Sequence, residues 1–468
     1  MTRRGWICGL VLWGVAARTA TGLCAAPAAE HEYDGYVDWQ WRPVEVADTN
    51  AAETVRFEAD MTVPLHGPWL RLPGETTMTV TWITRIPCAG GIEYWEAGTT
   101  NRIERWPVRY GALDYSRDVH CFHLTGLRPG TRYAYRLLSA LDSYTSPWTY
   151  YVGRGREVRH FTTVDPARDT YRVFLTADLH GGARLSLAPM VARTGAKDAD
   201  FYFFLGDNVS DGAYNNYRFY ATMGFLDDVT RLWGSEKPTL FLRGNHDIFG
   251  PDAVRHGELF PHPKEKTYHA FRQGPCLFVA LDTMWPPKVA LQKAHWEAYL
   301  REQAAWLKEQ KATDAWKTAT FRVVMFHVPL FPADSTFPRA FFGEELADES
   351  PEGKVHAVLA GHEHVYARVN PNTRETRVNN AYGDFPADGK GAYPPAYFRK
   401  GRIPERFPYV SVVCRAGEAM TLDVSPARLV FRSHRFDRPG RGFYDAFEIT
   451  ADGQVNDLVE TRAYPLAQ

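Results

Sequence analysis

Five short apolar segments each run into a polar cluster, and this pattern constrains the fold more than any other feature of the sequence. Between the third and fourth segments, Lys293 to Gln310 shows helical spacing, with Trp296, Leu300 and Leu307 on one stripe. Strands separated by helices predict a buried sheet whose strand ends meet at one edge, where α/β proteins place their sites. The predicted strands are Tyr171 to Thr176, Phe201 to Leu205, Thr239 to Leu242, Arg322 to Phe326 and Val355 to Leu359.

The side chains that follow these strands form a set of oxygen and nitrogen ligands without sulfur. Such a set suits Zn, Mn or Fe. It is too large for one tetrahedral ion and large enough for two ions that share a bridging carboxylate. Two ions about 3.5–4 Å apart can clamp a phosphoryl group and supply a hydroxide. The candidate ligands are Asp178, His180, Asp207, Asn245, His327, His362 and His364.

Each of these residues alone has a plainer interpretation. Asp178 could cap a helix, and Asn245 could lie in a turn. The isolated histidines His256, His295 and His356 are predicted to be structural or surface residues rather than ligands. The ordered recurrence of ligand-type residues at five strand ends favours a metal site over chance clustering.

The preceding part of the chain, residues 55–165, is predicted to form an all-β domain. Thr76 to Thr84 alternates, with Met78, Val80 and Trp82 on one face. The later run Leu-x-Pro-Gly-Thr-x-Tyr-x-Tyr resembles the corner of a fibronectin type III sandwich, where a tyrosine is tied to the preceding turn. A structural or docking module is favoured over a carbohydrate-binding role.

The N-terminus is typical of an export signal. Arg3 and Arg4 precede an apolar run from Ile7 to Ala17, and small residues then lead to an expected cleavage site near Ala28. Residues 1–28 are therefore predicted to be a signal peptide and residues 29–54 an N-terminal extension of a periplasmic or secreted protein. A buried N-terminal helix is the alternative. The run is shorter than the ~20 apolar residues that span a bilayer, and no later segment is long enough.

The balance of acidic and basic residues limits the kinds of partner that the protein can bind. The 54 basic and 55 acidic residues give a net charge of -1, which argues against nonspecific binding to nucleic acid or anionic membrane. No basic and aromatic stripe for single-stranded nucleic acid stands out, and nothing indicates a protein partner.

In an exported protein, Cys88 and Cys121 are the expected disulfide pair because both lie in one small domain.

The motif order Asp-x-His, Gly-Asp, Gly-Asn-His-Asp, a lone His and Gly-His-x-His resembles the calcineurin-like metallophosphoesterase superfamily. The preceding sandwich resembles the N-terminal domain of purple acid phosphatases. This resemblance implies a fibronectin III-like β-sandwich followed by a four-layer αββα domain over residues 166–468, an α+β and α/β combination. Its hairpin strands would be Tyr268 to Phe271, Leu277 to Asp282, Met420 to Val424 and Leu429 to Ser433.

The resemblance also implies roles for the site residues. His246 would lie beside the phosphate as an acid or transition-state donor, oriented by Asp247, and a metal-bridged hydroxide would attack phosphorus in line. Asp207 would bridge two divalent ions. One ion would be held by Asp178, His180, Asp207 and His364, and the other by Asp207, Asn245, His327 and His362.

The sequence departs from the purple acid phosphatase pattern at the tyrosinate ligand, whose place is taken by Ser210. His180 is expected to fill that coordination position, which predicts a colourless enzyme with Zn, Mn or Fe(II). Two motifs also resemble protein Ser/Thr phosphatases, but Ser210-Asp211-Gly212 stands where those enzymes place an arginine after Gly-Asp.

Residues Asn370 to Lys400 are rich in Asn, Gly, Pro and Tyr, and they are predicted to form a loop over the site or a disordered segment.

Taken together, these features predict an exported dinuclear metallophosphatase that hydrolyses phosphate monoesters. A phosphodiesterase or nucleotide hydrolase of the same superfamily is the first alternative. A surface-binding protein with an inactive hydrolase domain is the second.

Overall fold

The structure of the chain is a computed structural model. It describes residues 39–43, 60–142, 150–181, 183–210, 216–283, 290–331, 337–371, 376–379, 407–434, 443–459 and 463–464. The predicted signal peptide lies outside the described residues, as does most of the predicted N-terminal extension. Among the described residues, no helix combines the length and apolar character that crossing a membrane requires.

The N-terminal domain is built around one long strand that takes part in two sheets. The first part of β3 pairs with β2 and β7, and its second part pairs with β8 and β4. The strands are β1 (Trp39–Pro43), β2 (Pro64–Arg71), β3 (Met78–Glu96), β4 (Ile103–Arg105), β5 (Val108–Arg109), β6 (Ala112–Leu113), β7 (Arg117–Leu124), β8 (Arg132–Asp142), β9 (Tyr150–Gly155) and β10 (Arg159–Thr162).

The core of this domain confirms the predicted alternation. Met78, Val80 and Trp82 lie in one buried cluster with Tyr135 and Phe161. The predicted tyrosine contact is also present. The backbone N–H of Arg128 donates to the Tyr133 hydroxyl at 2.9 Å, which ties the turn to β8.

The predicted Cys88–Cys121 disulfide is wrong, because both thiols are free. Cross-strand register explains the error. Cys121 lies opposite Thr81 on β3, whereas Cys88 lies opposite Arg117 at the far end of β7. Membership of one small domain therefore did not place the two cysteines opposite each other, and a disulfide needs Cα atoms roughly 5.5–6 Å apart.

The C-terminal domain contains two large sheets that share a core. Apolar residues of both sheets form one buried cluster, and further clusters join the opposite face of each sheet to helices. The first sheet has the order β13-β12-β11-β21-β22-β23-β24, and the second has β14-β15-β16-β17-β20-β18-β19-β25. The strands are β11 (Tyr171–Thr176), β12 (Phe201–Phe204), β13 (Thr239–Phe241), β14 (His269–Gln273), β15 (Cys276–Ala280), β16 (Phe321–Met325), β17 (Ala357–Ala360), β18 (Tyr366–Val369), β19 (Thr376–Asn379), β20 (Val410–Val413), β21 (Ala419–Val424), β22 (Arg428–His434), β23 (Phe443–Thr450), β24 (Val455–Asp457) and β25 (Ala463–Tyr464).

The helices cover the outer faces of the two sheets. The predicted helix over Lys293 to Gln310 is confirmed with bounds Ala290–Lys311, and Trp296, Leu300 and Leu307 are buried. The other α-helices are Ala183–Thr194, Tyr217–Ala221, Asp227–Val229, His256–Leu259, Asp314–Lys317 and Phe337–Leu346. Thr222–Leu226 and Thr230–Gly234 are π-helical, and Ala196–Asp198, His246–Ile248 and Pro251–Arg255 are 3₁₀-helical.

The strand predictions for this domain are confirmed, including both hairpins. The prediction of an unstructured Asn370 to Lys400 is wrong for Thr376–Asn379, which forms β19. This strand pairs with β18 and β25, so its backbone groups complete a sheet instead of forming a loop. Residues 372–375 and 380–400 of that prediction lie outside the described residues.

Candidate metal centre

Parallel pairing brings the carboxyl ends of the five predicted strands together. β11, β12 and β13 are parallel neighbours in one sheet, and β16 and β17 are parallel neighbours in the other. Backbone hydrogen bonds then join the loops that follow. Asp178 N donates to Gly206 O at 3.0 Å, and Gly361 N donates to His327 O at 3.0 Å. The backbone N–H of His362 also donates to the Asp178 carboxylate at 3.0 Å, which joins the loops of the two sheets.

The first ligand group consists of Asp178, His180, Asp207 and His364, whose ligand atoms all lie within 4.8 Å of one another. The Nε2 atoms of His180 and His364 are 3.0 Å apart. Nε2 of His364 is 3.5 Å from Oδ1 of Asp178. The two carboxylates are buried, while the His364 side chain is 46% exposed. This half of the site is thus open to solvent.

The second ligand group consists of Asp207, His327 and His362, whose ligand atoms also lie within 4.8 Å of one another. The side-chain oxygen of Asn245 is 3.2 Å from Nε2 of His327 and 2.7 Å from Nδ1 of His362. The structure thus brings together all seven residues predicted as ligands. It also divides them into the two predicted groups, with Asp207 common to both.

Five of the candidate ligands have a left-handed backbone. Non-glycine residues with positive φ number eight in the described part of the chain, and these five have φ between 49° and 76°. Such conformations cost on the order of 1–3 kcal/mol each and persist where function requires them. The five are Asp178, His180, Asp207, His362 and His364.

The glycines of the sequence motifs are required by the lack of space around the ligands. A Cβ atom on Gly361 would lie 2.6 Å from Oδ2 of Asp178. A Cβ atom on Gly244 would collide with the carboxylate and backbone N of Asp207, and one on Gly206 would collide with the His327 ring. The motif glycines therefore allow three loops to approach the ligands closely.

His327 is oriented by the protein so that one ring nitrogen faces the site. Its Nδ1 donates to the carbonyl of Leu205 at 2.7 Å, which leaves Nε2 directed at the carboxylate of Asp207, 3.2 Å away. A hydrogen bond from the distant ring nitrogen to a carbonyl is the usual way in which proteins fix a metal-binding histidine.

The electrostatics of the group fit a bound cation. Burial raises the pKa of Asp178 to about 8, and burial lowers the pKa of His180 to about 4 and that of His362 to about 3. Against the effect of burial, Asp207 and Asp178 raise the pKa of His327 to about 10. The buried carboxylates thus need a positive charge, and the neutral imidazoles of His180 and His362 can act as ligands. The donor set, the neutral imidazoles and the strained ligand loops fit two divalent ions.

His246 lies at the edge of both groups. Its backbone N–H donates to Oδ1 of Asp207 at 2.8 Å, and its Nε2 is 3.8 Å from Oδ2 of the same carboxylate. The ring packs edge-on against that of His180, with centroids 4.6 Å apart. Its side chain is 22% exposed, so it can reach a molecule that enters the site.

The hydrogen bonds of Asp247 run to the backbone of the ligand loops, and its predicted role in orienting the His246 ring stays a prediction. Its buried carboxylate accepts from the backbone N–H of Gly244 at 2.8 Å, and from those of Asn208 and Val209 at 3.3 Å. These bonds join the loop after β12 to the loop after β13. Asp247 is therefore a positioning residue for the backbone that carries Asp207 and Asn245.

Sequence reasoning missed two residues that support the same loops. The Asn208 side chain donates to Leu242 O at 3.2 Å. The Arg243 guanidinium, next to Gly244, pairs with buried Asp282 at 2.6 Å. Both residues were visible as polar residues inside or beside the predicted clusters. Their partners could not be predicted from the sequence, because Leu242 and Asp282 lie at the ends of other strands.

The tyrosines near the absent tyrosinate position have other partners. The Tyr202 hydroxyl donates to Ala196 O at 2.8 Å, and its ring stacks on Trp233 at 4.0 Å. The Tyr217 hydroxyl is 2.9 Å from Nδ1 of His256. His256 is thus a buried structural histidine, as predicted. Tyr214 lies outside the described residues.

Family comparisons agree with this geometry. Residues 171–366 match the calcineurin-like phosphoesterase family, so this part of the chain is a calcineurin-like metallophosphoesterase domain. Residues 67–163 match the N-terminal domain of purple acid phosphatases. The chain thus combines the metallophosphoesterase domain with that particular N-terminal domain.

Individual relatives are distant. Serine/threonine-protein phosphatase CPPED1 of Rattus norvegicus is 24% identical over 189 residues, which cover 39% of this chain and 59% of the relative. Purple acid phosphatase 23 of Arabidopsis thaliana is 25% identical over 307 residues, 56% of this chain and 60% of the relative. The chain thus spans about three-fifths of the length of these curated relatives. A solved structure of PhoD has a TM-score of 0.53 at 12% identity, covers 85% of this chain and 92% of PhoD, and shows likeness of fold alone.

Proposed function

We propose that this chain is a dinuclear metal-dependent phosphatase that hydrolyses phosphate monoesters. The observation that carries the proposal is the pair of ligand groups that share the buried carboxylate of Asp207. A single structural ion would need only one of these groups. Supporting observations are the solvent exposure of His364 and the position of His246 beside the same carboxylate.

Seven residues of the chain would hold the two ions. Asp178, His180 and His364 would hold one ion, Asn245, His327 and His362 the other, and Asp207 both. When bound, two divalent ions would polarise the phosphoryl group and supply a hydroxide nucleophile at neutral pH.

His246 would donate a proton from its imidazole to the leaving oxygen of the ester. Its exposed side chain borders both ligand groups, so a phosphate there would bring the ester oxygen within its reach. Asp247 would keep the loops of Asp207 and Asn245 at their present separation through its bonds to backbone N–H groups.

The two alternatives make different use of the same site. A phosphodiesterase or nucleotide hydrolase would need the same ligands and an additional surface for the second ester group. A surface-binding protein would use the N-terminal domain and leave the metal centre inactive. The complete ligand set favours an active enzyme, since an inactive domain has no reason to retain five strained ligand conformations.

The proposal extends to the metals, the compartment and the architecture. We expect Zn, Mn or Fe(II), because Ser210 and His180 stand where a tyrosinate would favour ferric iron. Export to the periplasm or medium rests on the signal-like residues 1–28. The fibronectin III-like sandwich and the αββα order rest on the Tyr133 corner and on helices packed on both sheets.

The experiment is an activity panel on metal-analysed protein. Purified enzyme with two metal equivalents should hydrolyse an aryl phosphate monoester faster than the matching diester. A faster diester reaction would favour the first alternative. Absence of hydrolysis of every ester by fully loaded protein would favour a binding role. Cell fractionation and N-terminal sequencing test export, which predicts a mature protein that begins near Ala29 outside the cytoplasm.

A further inference from the structure

A second group of histidines lies where the N-terminal domain packs on the metallophosphoesterase domain. Strands β2, β3 and β7 face that domain, and the indole N–H of Trp69 donates to Leu259 O at 3.2 Å. Register pairs Arg71 with Thr79, and Thr79 with His123, across these strands. Residues directly opposite each other project from the same face of a sheet. Arg71 and His123 therefore stand on the face that meets the other domain.

Arg71 is a buried cation without an acidic partner. It is 6% exposed, its Nη1 donates to Pro261 O at 3.1 Å, and its guanidinium lies 5.2 Å from the centroid of the Phe260 ring. Within the described part of the chain, no carboxylate pairs with it. Burial lowers the pKa of Arg71 to about 10, and only the Cys121 thiol acts in the opposite direction. A charge in this state is costly unless an anion accompanies it.

Two histidines of the metallophosphoesterase domain lie close to Pro261, the residue that Arg71 contacts. His262 follows Pro261, and its ring centroid is 6.4 Å from that of His269 at the start of β14. Nδ1 of His262 accepts from the backbone N–H of Lys264 at 3.1 Å, so Nε2 carries the proton and is a donor. Among the described residues, the ring nitrogens of His269 have no hydrogen-bond partner.

The charged residues near His262 and His269 are positive. Burial, together with the charges of Arg71 and His262, lowers the pKa of His269 to about 3. Burial likewise lowers the pKa of His262 to about 4, with Arg71 and the nearby lysines acting in the same direction. A metal cation is disfavoured here, because the guanidinium would repel it. The group instead offers N–H donors and positive charge to an anion.

We propose that Arg71, His123, His262 and His269, here named the interdomain cluster, bind a small tetrahedral oxyanion such as phosphate or sulfate. The free N–H groups of the guanidinium match two oxygens of such an ion. Imidazole N–H groups from both domains would contact the others. The bound ion would neutralise Arg71 and join the two domains. This inference does not depend on the proposed phosphatase activity.

The test is thermal unfolding of the metal-loaded full chain with sulfate or chloride at equal ionic strength. Sulfate should raise Tm saturably by several degrees, because a ligand that binds only the folded state stabilises it by mass action. Arg71→Met, which keeps the stem over Phe260, should weaken the apparent sulfate affinity at least ten-fold. Arg428→Met removes an exposed arginine that pairs with Glu448 and should leave the affinity unchanged.

Two further variants keep the result decisive. Asp207→Asn should retain the sulfate response, which separates the cluster from the metal centre. His269→Gln should weaken the response several-fold, and it replaces Arg71→Met if that variant does not fold. Equal responses of wild type, Arg71→Met and His269→Gln would overturn the proposal, since sulfate would then act as a general stabilising salt. Loss of the response in Asp207→Asn would overturn it as well, by assigning the ion to the metal centre.

Discussion

The molecule contains two groups of histidines whose neighbours differ in charge. In the metal centre, histidines surround the buried carboxylates of Asp178 and Asp207. In the interdomain cluster, the neighbouring rings of His262 and His269 follow Pro261, whose carbonyl accepts from the buried guanidinium of Arg71. The backbone differs too, since the metal centre has left-handed ligand residues and the cluster histidines have none. The sign of the buried charge, rather than the number of imidazoles, decides whether a histidine group receives a cation or an anion.

The largest expected effect comes from removing the shared charge of the metal centre. Asp207→Asn should lose both ions and reduce phosphatase activity to background, because the carboxylate belongs to both ligand groups. Metal content and initial rate measure this change. Asp423→Asn removes a carboxylate that pairs with Arg172 and Arg432 on the sheet surface, and it should keep both ions. Retention of two ions by Asp207→Asn would refute the shared-ligand assignment.

The next effect separates proton transfer from metal binding. His246→Ala should keep both ions and lower turnover by roughly 10²–10⁴, the usual range for a lost acid–base group. His295→Ala, at an exposed helical position, is the matched control with unchanged turnover. A near-normal rate across esters with good and poor leaving groups would show that His246 has no proton-transfer role.

Asp247 provides a smaller effect that distinguishes its two candidate roles. Asp247→Asn should destabilise the protein by about 1–3 kcal/mol, because a buried acceptor of backbone N–H groups is weakened, and should reduce metal affinity about 10–100-fold. In the double variant with His246→Ala, the losses in turnover at saturating metal should be close to additive. A double variant no slower than His246→Ala alone would support the predicted role of Asp247 in orienting that ring.

The smallest effect concerns pH and the interdomain cluster. The pKa of folded His269 is about 3, below the ordinary value of about 6.5, so the unfolded chain binds more protons between these values. Its contribution to stability is present above about pH 6.5 and is lost as pH falls toward 3. Between pH 7 and 5, the Tm of His269→Gln should therefore fall by a few degrees less than the Tm of wild type. The variant retains Arg71 and His262. An exposed control, His295→Gln, should follow wild type, and a slope for His269→Gln equal to wild type would contradict this account.

The strands and the clustering of the candidate ligands could be predicted because their signals are local. Apolar runs that end in Asp, Asn or His identify both the strand and the ligand at its end. β3 was predicted to end near Thr84 but continues to Glu96, because a register shift between Ile83 and Cys88 lets it enter the second sheet. Such a shift depends on the neighbouring strands and has no local signal.

Residues that act across sequence distance were the ones that sequence reasoning missed. Arg71 and His269 are almost two hundred positions apart, and the domain packing alone brings them together. Asp247 accepts from the backbone N–H groups of Asn208 and Val209, which are distant in sequence, so these contacts have no local signal. The partners of a buried carboxylate are set by loop packing.

Whether two ions share Asp207 can be measured by titrating metal-free protein with Zn²⁺ or Mn²⁺ while following bound metal and hydrolysis of an aryl phosphate. We expect no activity without metal, full activity at about two equivalents, and loss of both binding events in Asp207→Asn. Full activity in rigorously metal-free protein, or saturation at one equivalent with Asp207→Asn still active, would contradict this expectation.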